Sequence, residues 1–176
     1  MTRILSVLFF AVVLSGCVGK PSLEDDKLST RQLNLEEFFD GRVVAFGQFQ
    51  DVFGTVRRRF DVQIDGTWDG KTLRLVEDFI YEDGSTEQRI WTLQKTGPET
   101  WRGTAPGVIG EATGEERCDT FNWQYEIELQ VPDGTMRDTF DDWMWLLSED
   151  RVLNRAYMKR FGVDIGEVII TFEKQR

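Results

Sequence analysis

From residue 41 onward apolar and polar side chains alternate with a period of two, and turn residues interrupt the alternation roughly every 8 to 14 positions. Val56, Arg58, Phe60, Val62 and Ile64 share one face of such a segment, and Arg57, Arg59, Asp61, Gln63 and Asp65 share the other. Trp123, Tyr125, Ile127, Leu129 and Val131 alternate in the same way with Gln124, Glu126, Glu128 and Gln130. Successive side chains of a β-strand point to opposite faces, so these are strands with one dry and one wet face. Asp65-Gly66, Asp69-Gly70, Asp83-Gly84 and Asp133-Gly134 supply turns, because glycine tolerates the positive φ that tight hairpins demand. The pattern predicts strands near 42–51, 55–65, 71–82, 85–95, 99–105, 107–113, 120–131, 135–146, 150–159 and 163–174. Ahead of them, Asn34 at an N-cap position, Glu37 three residues on and apolar Leu35, Phe38 and Phe39 predict a short helix that stops at Gly41.

A meander of about eight to ten strands with no helices to cover it buries its apolar face by curling into an antiparallel up-and-down β-barrel. The alternative, a two-sheet sandwich, usually needs longer Greek-key crossings than these short links. The expected fold class is therefore all-β, a barrel with a short N-terminal helix suited to covering one end. Gly103, Gly107, Gly110 and Gly114 fall in one stretch with Ala105 and Ala112. Small residues there predict a thin or bent wall that either leaves room inside or lets backbones pack closely.

The first residues follow a different rule. Arg3 precedes an apolar run from Ile4 to Leu14, and Leu14-Ser15-Gly16-Cys17 follows at once. That run is well short of the roughly 20 residues needed to span a bilayer. A basic start, an apolar core, small residues and a cysteine are the features of a bacterial lipoprotein export signal. Cleavage ahead of Cys17 would leave its thiol to carry a diacylglyceryl group, and two or three acyl chains anchor a protein stably at about 0.8 kcal/mol per buried methylene. Val18 stands where an aspartate would argue for inner-membrane retention, so an outer-membrane lipoprotein facing the periplasm is expected. The predicted organisation is a signal at 1–16, a lipidated cysteine and polar flexible tether at 17–32, and one barrel domain at 33–176.

Composition narrows the chemistry. The net charge of −10 makes nucleic acid a poor partner. There is no histidine in the chain, so Ser-His-Asp and Cys-His triads and histidine-ligated zinc are excluded. No nucleophile motif or metal-ligand spacing replaces them, and a non-enzymatic, cofactor-free monomer is expected. Once Cys17 is lipidated, Cys118 is the only thiol left, so no internal disulfide is available. Cys118 is expected to be a small buried hydrophobe.

Two constellations carry candidate chemistry. A three-residue loop, Glu82-Asp83-Gly84, sets Leu73 opposite Leu93, Leu75 opposite Trp91 and Phe79 opposite Glu87, matching apolar with apolar at the first two. The same register sets Glu77 opposite Arg89 on the inner face, where Arg58 also points. One reading of Arg58, Glu77 and Arg89 is a satisfied internal salt bridge. The other makes Arg58 or Arg89 the anchor for the carboxylate or phosphate head of an amphipathic ligand whose tail lies on Trp91, Phe79 and Tyr81. The second constellation is Phe140-Asp141-Asp142-Trp143-Met144-Trp145. Neighbours on a strand face opposite ways, so the two aspartates cannot form one acid/base pair. A single inward aspartate bonded to an indole or an arginine is expected instead, with Asn154-Arg155 on the next strand as a source of the partner. Trp123 and Trp143 join the candidate lining, although large aromatics also fill small barrels.

Several blocks in order resemble a family of bacterial lipoproteins known as domain of unknown function 3833. They are Phe38-Phe39-Asp40-Gly41, Phe60 through Gly66 with Trp68-Asp69-Gly70, Glu77 through Gly84, Arg89-Ile90-Trp91, Asp141-Asp142-Trp143-Met144, Asn154-Arg155-Ala156 and Phe161-Gly162-Val163. The resemblance spans nearly all of the chain beyond the signal, and it implies a lipoprotein with no established reaction, cofactor or catalytic residues. The strand pattern makes the expected barrel lipocalin-like. Two functions follow: an envelope-tethered barrel that binds or shuttles a hydrophobic or amphipathic, lipid-like molecule, or a packed barrel that acts on an envelope partner through its acidic surface. They differ in whether the barrel is hollow.

Overall fold

The computed structural model describes residues 19–26, 29–131 and 134–176; the predicted signal and Cys17 lie outside the described residues. A five-residue helix, α1 (Leu35–Phe39), precedes ten strands: β1 (Gly41–Asp51), β2 (Val56–Trp68), β3 (Thr72–Tyr81), β4 (Thr86–Lys95), β5 (Thr100–Thr104), β6 (Ala112–Arg117), β7 (Thr120–Val131), β8 (Gly134–Ser148), β9 (Arg151–Arg160) and β10 (Val163–Lys174). Each strand pairs antiparallel with the next, and β10 pairs with β1 to close the barrel. Nine strands fall where the period-two pattern puts them, within a few residues. The exception is the strand expected at 107–113, which is displaced to Ala112–Arg117. Gly107 and Gly110 take φ values of +86° and +70°, so this stretch turns instead of extending. Farther along the same wall, a Cβ on Gly114 would stand 2.5 Å from the Trp123 ring, and one on Gly103 would stand 3.0 Å from it. The small residues leave room inside the barrel, and an indole takes it.

One end of the barrel is sealed by α1, which buries Leu35, Phe38 and Phe39. Its start is not the expected capping box. The Asn34 side chain donates to Glu37 Oε2 at 3.1 Å and makes no cap bond, while the orphan Leu35 N–H donates to Glu116 Oε1 of β6 at 2.8 Å. At its other end the Lys174 ammonium donates to the carbonyls of Glu37, Phe38 and Asp40, where a cation also meets the negative end of the helix dipole. Lys95 ties the helix to the wall through Glu36 and lies 3.7 Å from Glu116. The helix sits so close to β2 that a Cβ on Gly66 would stand 1.7 Å from the Phe39 carbonyl oxygen. Because that obstacle is backbone, Gly66→Ala is expected to lower stability by about 1–3 kcal/mol in urea unfolding. An unchanged midpoint would mean that the helix is not seated as described.

Between Gly19 and Leu33 the described residues contact the barrel wall. Lys20 lies 3.6 Å from Asp164 and 4.8 Å from the Tyr157 ring centroid, Glu24 pairs with Arg117, and Arg31 donates to the Leu147 carbonyl at 2.8 Å. The Leu33 N–H donates to the Cys118 carbonyl at 2.7 Å. Cys118 itself is half-buried in the β6–β7 turn with φ +53°, not the small buried hydrophobe expected of it. A turn position of positive φ set it at the rim and took it out of the core.

Candidate functional site

The barrel is hollow. A cavity of about 400 Å³ lies between α1 and the opposite, open end, within the roughly 300–1,000 Å³ usual for small-molecule pockets. Leu35, Phe39, Ile64, Phe121 and Phe172 line its closed end. Phe49, Phe60, Phe79, Leu129, Phe140 and Met158 line it toward the mouth. Between these apolar zones runs a belt of polar side chains from β3, β4, β7, β8 and β9.

The β3–β4 half of the belt has the register expected from its loop. Tyr81 and Ser85 close the hairpin around Glu82-Asp83-Gly84, Gly84 has φ +81°, and Glu77 pairs with Arg89, Leu75 with Trp91 and Leu73 with Leu93. Arg58, Glu77, Phe79, Tyr81, Arg89, Trp91 and Trp123 all line the cavity. The arginines, however, are already engaged. Arg89 donates to Glu87 Oε1 at 2.7 Å and lies 5.1 Å over the Phe79 ring. Tyr81 donates to the other Glu87 oxygen at 2.7 Å. Arg58 stacks 3.3 Å from the Tyr81 ring centroid and donates to Ser85 Oγ at 2.9 Å. Glu77 accepts no hydrogen bond from any described residue. Burial pushes its carboxyl up to about 7; Arg89 opposes the rise, and the Asp142 and Glu87 charges add to it. Burial pushes Glu87 up as well, but the Arg89 charge and the Tyr81 hydrogen bond outweigh it and hold Glu87 below its ordinary value.

The other half of the belt comes from β7, β8 and β9. Asp142 is the inward aspartate, and Asp141 points out, accepting from Asn122 at 2.9 Å and Gln124 at 3.2 Å. The partner of Asp142 is the amide of Asn154, which donates to Oδ1 at 3.1 Å, not an indole or an arginine. Its Oδ2 is buried and has no hydrogen-bond partner, although the Tyr125 hydroxyl is near enough to act on its titration. Burial pushes Asp142 up to about 7, with the Asn154 bond working against the rise. Burial and the Asp142 charge push Tyr125 well above the ordinary phenol value. In a ring of ten, β8 lies five strands from β3 in either direction, so Asp142 and Glu77 face one another across the bore.

Trp143 is misplaced in the expected lining. With Asp142 inward, Trp143 points out, pairs in register with Asn122 and Arg155, and stacks on Trp145 at 6.5 Å. The Asp133-Gly134 hairpin did not fix the parity of β8, and a run with apolar residues at 143, 144 and 145 does not reveal it. Glu87 and Tyr125 carry no motif that marks them as site residues, whereas Asn154 is the partner that the Asn154-Arg155 pair was expected to supply. Face parity with Arg89 and Trp123 was the available signal for the first two. Among the described residues no group of three or more Cys, Asp or Glu is placed to hold a metal ion.

The mouth is greasy on its outside. Phe53, in the β1–β2 turn, is 89% exposed and Phe161, in the β9–β10 turn, is 92% exposed, with Val52 and Val163 exposed beside them.

Residues 11–174 match the family described as "Protein of unknown function (DUF3833)". The chain belongs to that family. No curated protein matches it. The DUF3833 barrel is similar in fold to the S-type phycobiliprotein lyase CPES from Guillardia theta, with a TM-score of 0.60 and 11% identity over 82% of this chain and 94% of that one. A protein of unknown function from the DUF3598 family of Nostoc punctiforme is similar with a TM-score of 0.50 and 14% identity, over 90% of this chain and 53% of that one. Identities this low show a shared fold and no more.

Proposed function

We propose that this DUF3833 protein binds a small hydrophobic or amphipathic molecule inside its barrel, as a lipoprotein anchored through Cys17 to the outer membrane and facing the periplasm. The observation that carries the reading is the cavity of about 400 Å³, walled by aromatic and aliphatic side chains and crossed by one polar belt. A packed barrel acting only through its surface has no use for such a space. Apolar walls supply most of the binding energy of a small ligand, and a few convergent polar groups fix its orientation. The role is binding and transfer, not turnover. The anchor supports a lipid-like ligand, because it keeps the barrel beside a source of such molecules.

Native mass spectrometry of the full chain, purified gently from its own envelope, tests the reading. One co-purified small molecule per chain is expected. Bare protein that stays bare after incubation with an envelope lipid extract would overturn it.

The exposed aromatics at the mouth suit entry from a bilayer, where apolar side chains insert at the boundary of headgroups and acyl chains. Phe53→Asp with Phe161→Asp is expected to slow several-fold the withdrawal of N-phenylnaphthylamine from vesicles of phosphatidylethanolamine and phosphatidylglycerol. Both side chains are almost fully exposed, so stability should change by less than about 0.5 kcal/mol per site. A withdrawal rate equal to wild type would remove the mouth from the entry route.

A further inference from the structure

We infer that the polar group recognised inside the barrel is a hydrogen-bond donor, best a protonated amine, held between Glu77 and Asp142, and not a carboxylate or phosphate held by arginine. The inference rests on the binding reading above and specifies its ligand. Among the described residues, Arg58 and Arg89 are the only cations on the cavity wall, and both are occupied: Arg89 by Glu87, and Arg58 by the Tyr81 ring and Ser85. An incoming anion would have to displace Glu87 from Arg89, and it would meet Glu77 and Asp142 in the same belt. The free carboxylate oxygens of the belt are acceptors, with the Tyr125 hydroxyl beside Asp142 as the protein's own donor near them. Asp142 is 93% buried, lines the cavity, and has one carboxylate oxygen with no hydrogen-bond partner; among the described residues none donates to the Glu77 carboxylate, which also lines it.

A buried acceptor left unmade is costly, and a ligand donor that reaches it recovers that cost on binding. An ammonium suits the belt better than a neutral donor does. Three carboxyl groups, from Glu77, Glu87 and Asp142, line the cavity against the two arginines, and a cation restores the balance. Burial disfavours both free carboxylates when the cavity holds no opposing charge, and a ligand cation reverses that preference. The apolar zones above and below the belt accept a hydrocarbon or aromatic body attached to the amine.

Three probes with the same chain and different heads test this: dodecylamine, dodecanol and laurate, each below its aggregation threshold, titrated into the full chain at physiological ionic strength. Surface attraction to the acidic exterior is then largely screened. Dodecylamine is expected to bind at least about tenfold more tightly than laurate, the size of one charge-assisted hydrogen bond. Asp142→Asn and Glu77→Gln, which preserve shape, should each bring that ratio toward one and weaken dodecanol, a neutral donor, by less than they weaken dodecylamine. Laurate binding as tightly as the amine, or an amine preference that survives both substitutions, would overturn the inference and leave the binding reading intact. Failure of all three probes to bind would overturn both.

Discussion

Arg89→Leu is expected to destabilise the protein by about 1–3 kcal/mol, less than a fully buried pair would cost because the Glu87 side chain is 42% exposed. Arg89 lies on the cavity wall opposite Glu77 in the sheet register and donates to Glu87 at 2.7 Å. The other cation of the wall, Arg58, sits at the rim and engages Tyr81 and Ser85, so it does not replace Arg89 at the belt. Without Arg89 the Glu87 carboxylate loses a charge-assisted bond, and Glu77 loses the positive charge that opposes its burial. Leucine keeps apolar bulk at the position, so the loss measures charge and not a new void. Adding Glu87→Gln should restore part of the stability, because it removes the carboxylate left without its partner. Urea unfolding of the single and double variants reads both effects, and a loss below about 1 kcal/mol for Arg89→Leu would contradict the assignment. Retention of an apolar probe should be unchanged in Arg89→Leu, since no ligand anion is held there.

Raising the pH from 5 to 8 is expected to weaken the fold through Glu77 and Asp142, the reverse of the common carboxylate behaviour. Both carboxyls are pushed up to about 7 by burial. Between their ordinary values near 4 and that point, the folded chain holds protons that the unfolded chain has released. The stabilisation is complete below about pH 4, is lost as pH rises through 7, and is gone above it. At about 1.4 kcal/mol per unit, each group contributes on the order of 3 kcal/mol to the change. The groups acting on them are Arg89 and Glu87 from β4, Tyr125 from β7, Asp141 beside Asp142, and the Asn154 amide from β9. Asp51, Asp69 and Asp83 have lowered values, and whatever they contribute is lost only in acid, outside this window. Glu77→Gln with Asp142→Asn should flatten the slope and exceed wild type in stability at pH 8. Equal melting temperatures for wild type at pH 5.5 and pH 8 would contradict the burial of both groups.

What was legible in the sequence was whatever local geometry controls. The β3–β4 register followed from a three-residue loop with glycine at its left-handed position, because one slip would have opposed leucine to polar residues on the other face. That register by itself puts Glu77 and Arg89 on the inner wall. Partner choice was not legible. Whether Arg89 bonds across the strand to Glu77 or along its own strand to Glu87 depends on side-chain reach, and the cross-strand pattern carries no sign of it. The β8 parity was hidden because Trp143, Met144 and Trp145 are apolar on both faces. Trp143 is only 5% exposed although it points outward, so burial alone would have misled as well. The helix cap was equally hidden, since Glu116 reaches Leu35 from 81 positions away.

One titration tests most directly whether the barrel is hollow and accessible. Ala156 is buried and faces the cavity, so Ala156→Trp should fill much of the space from the inside. Wild type titrated with N-phenylnaphthylamine is expected to bind one molecule saturably, with energy transfer from Trp91 and Trp123 on the cavity wall. The filled variant, shown to be folded by its near-ultraviolet circular dichroism, is expected to lose that site. Saturable binding that persists unchanged in Ala156→Trp, or none in wild type, would contradict a ligand site inside the barrel.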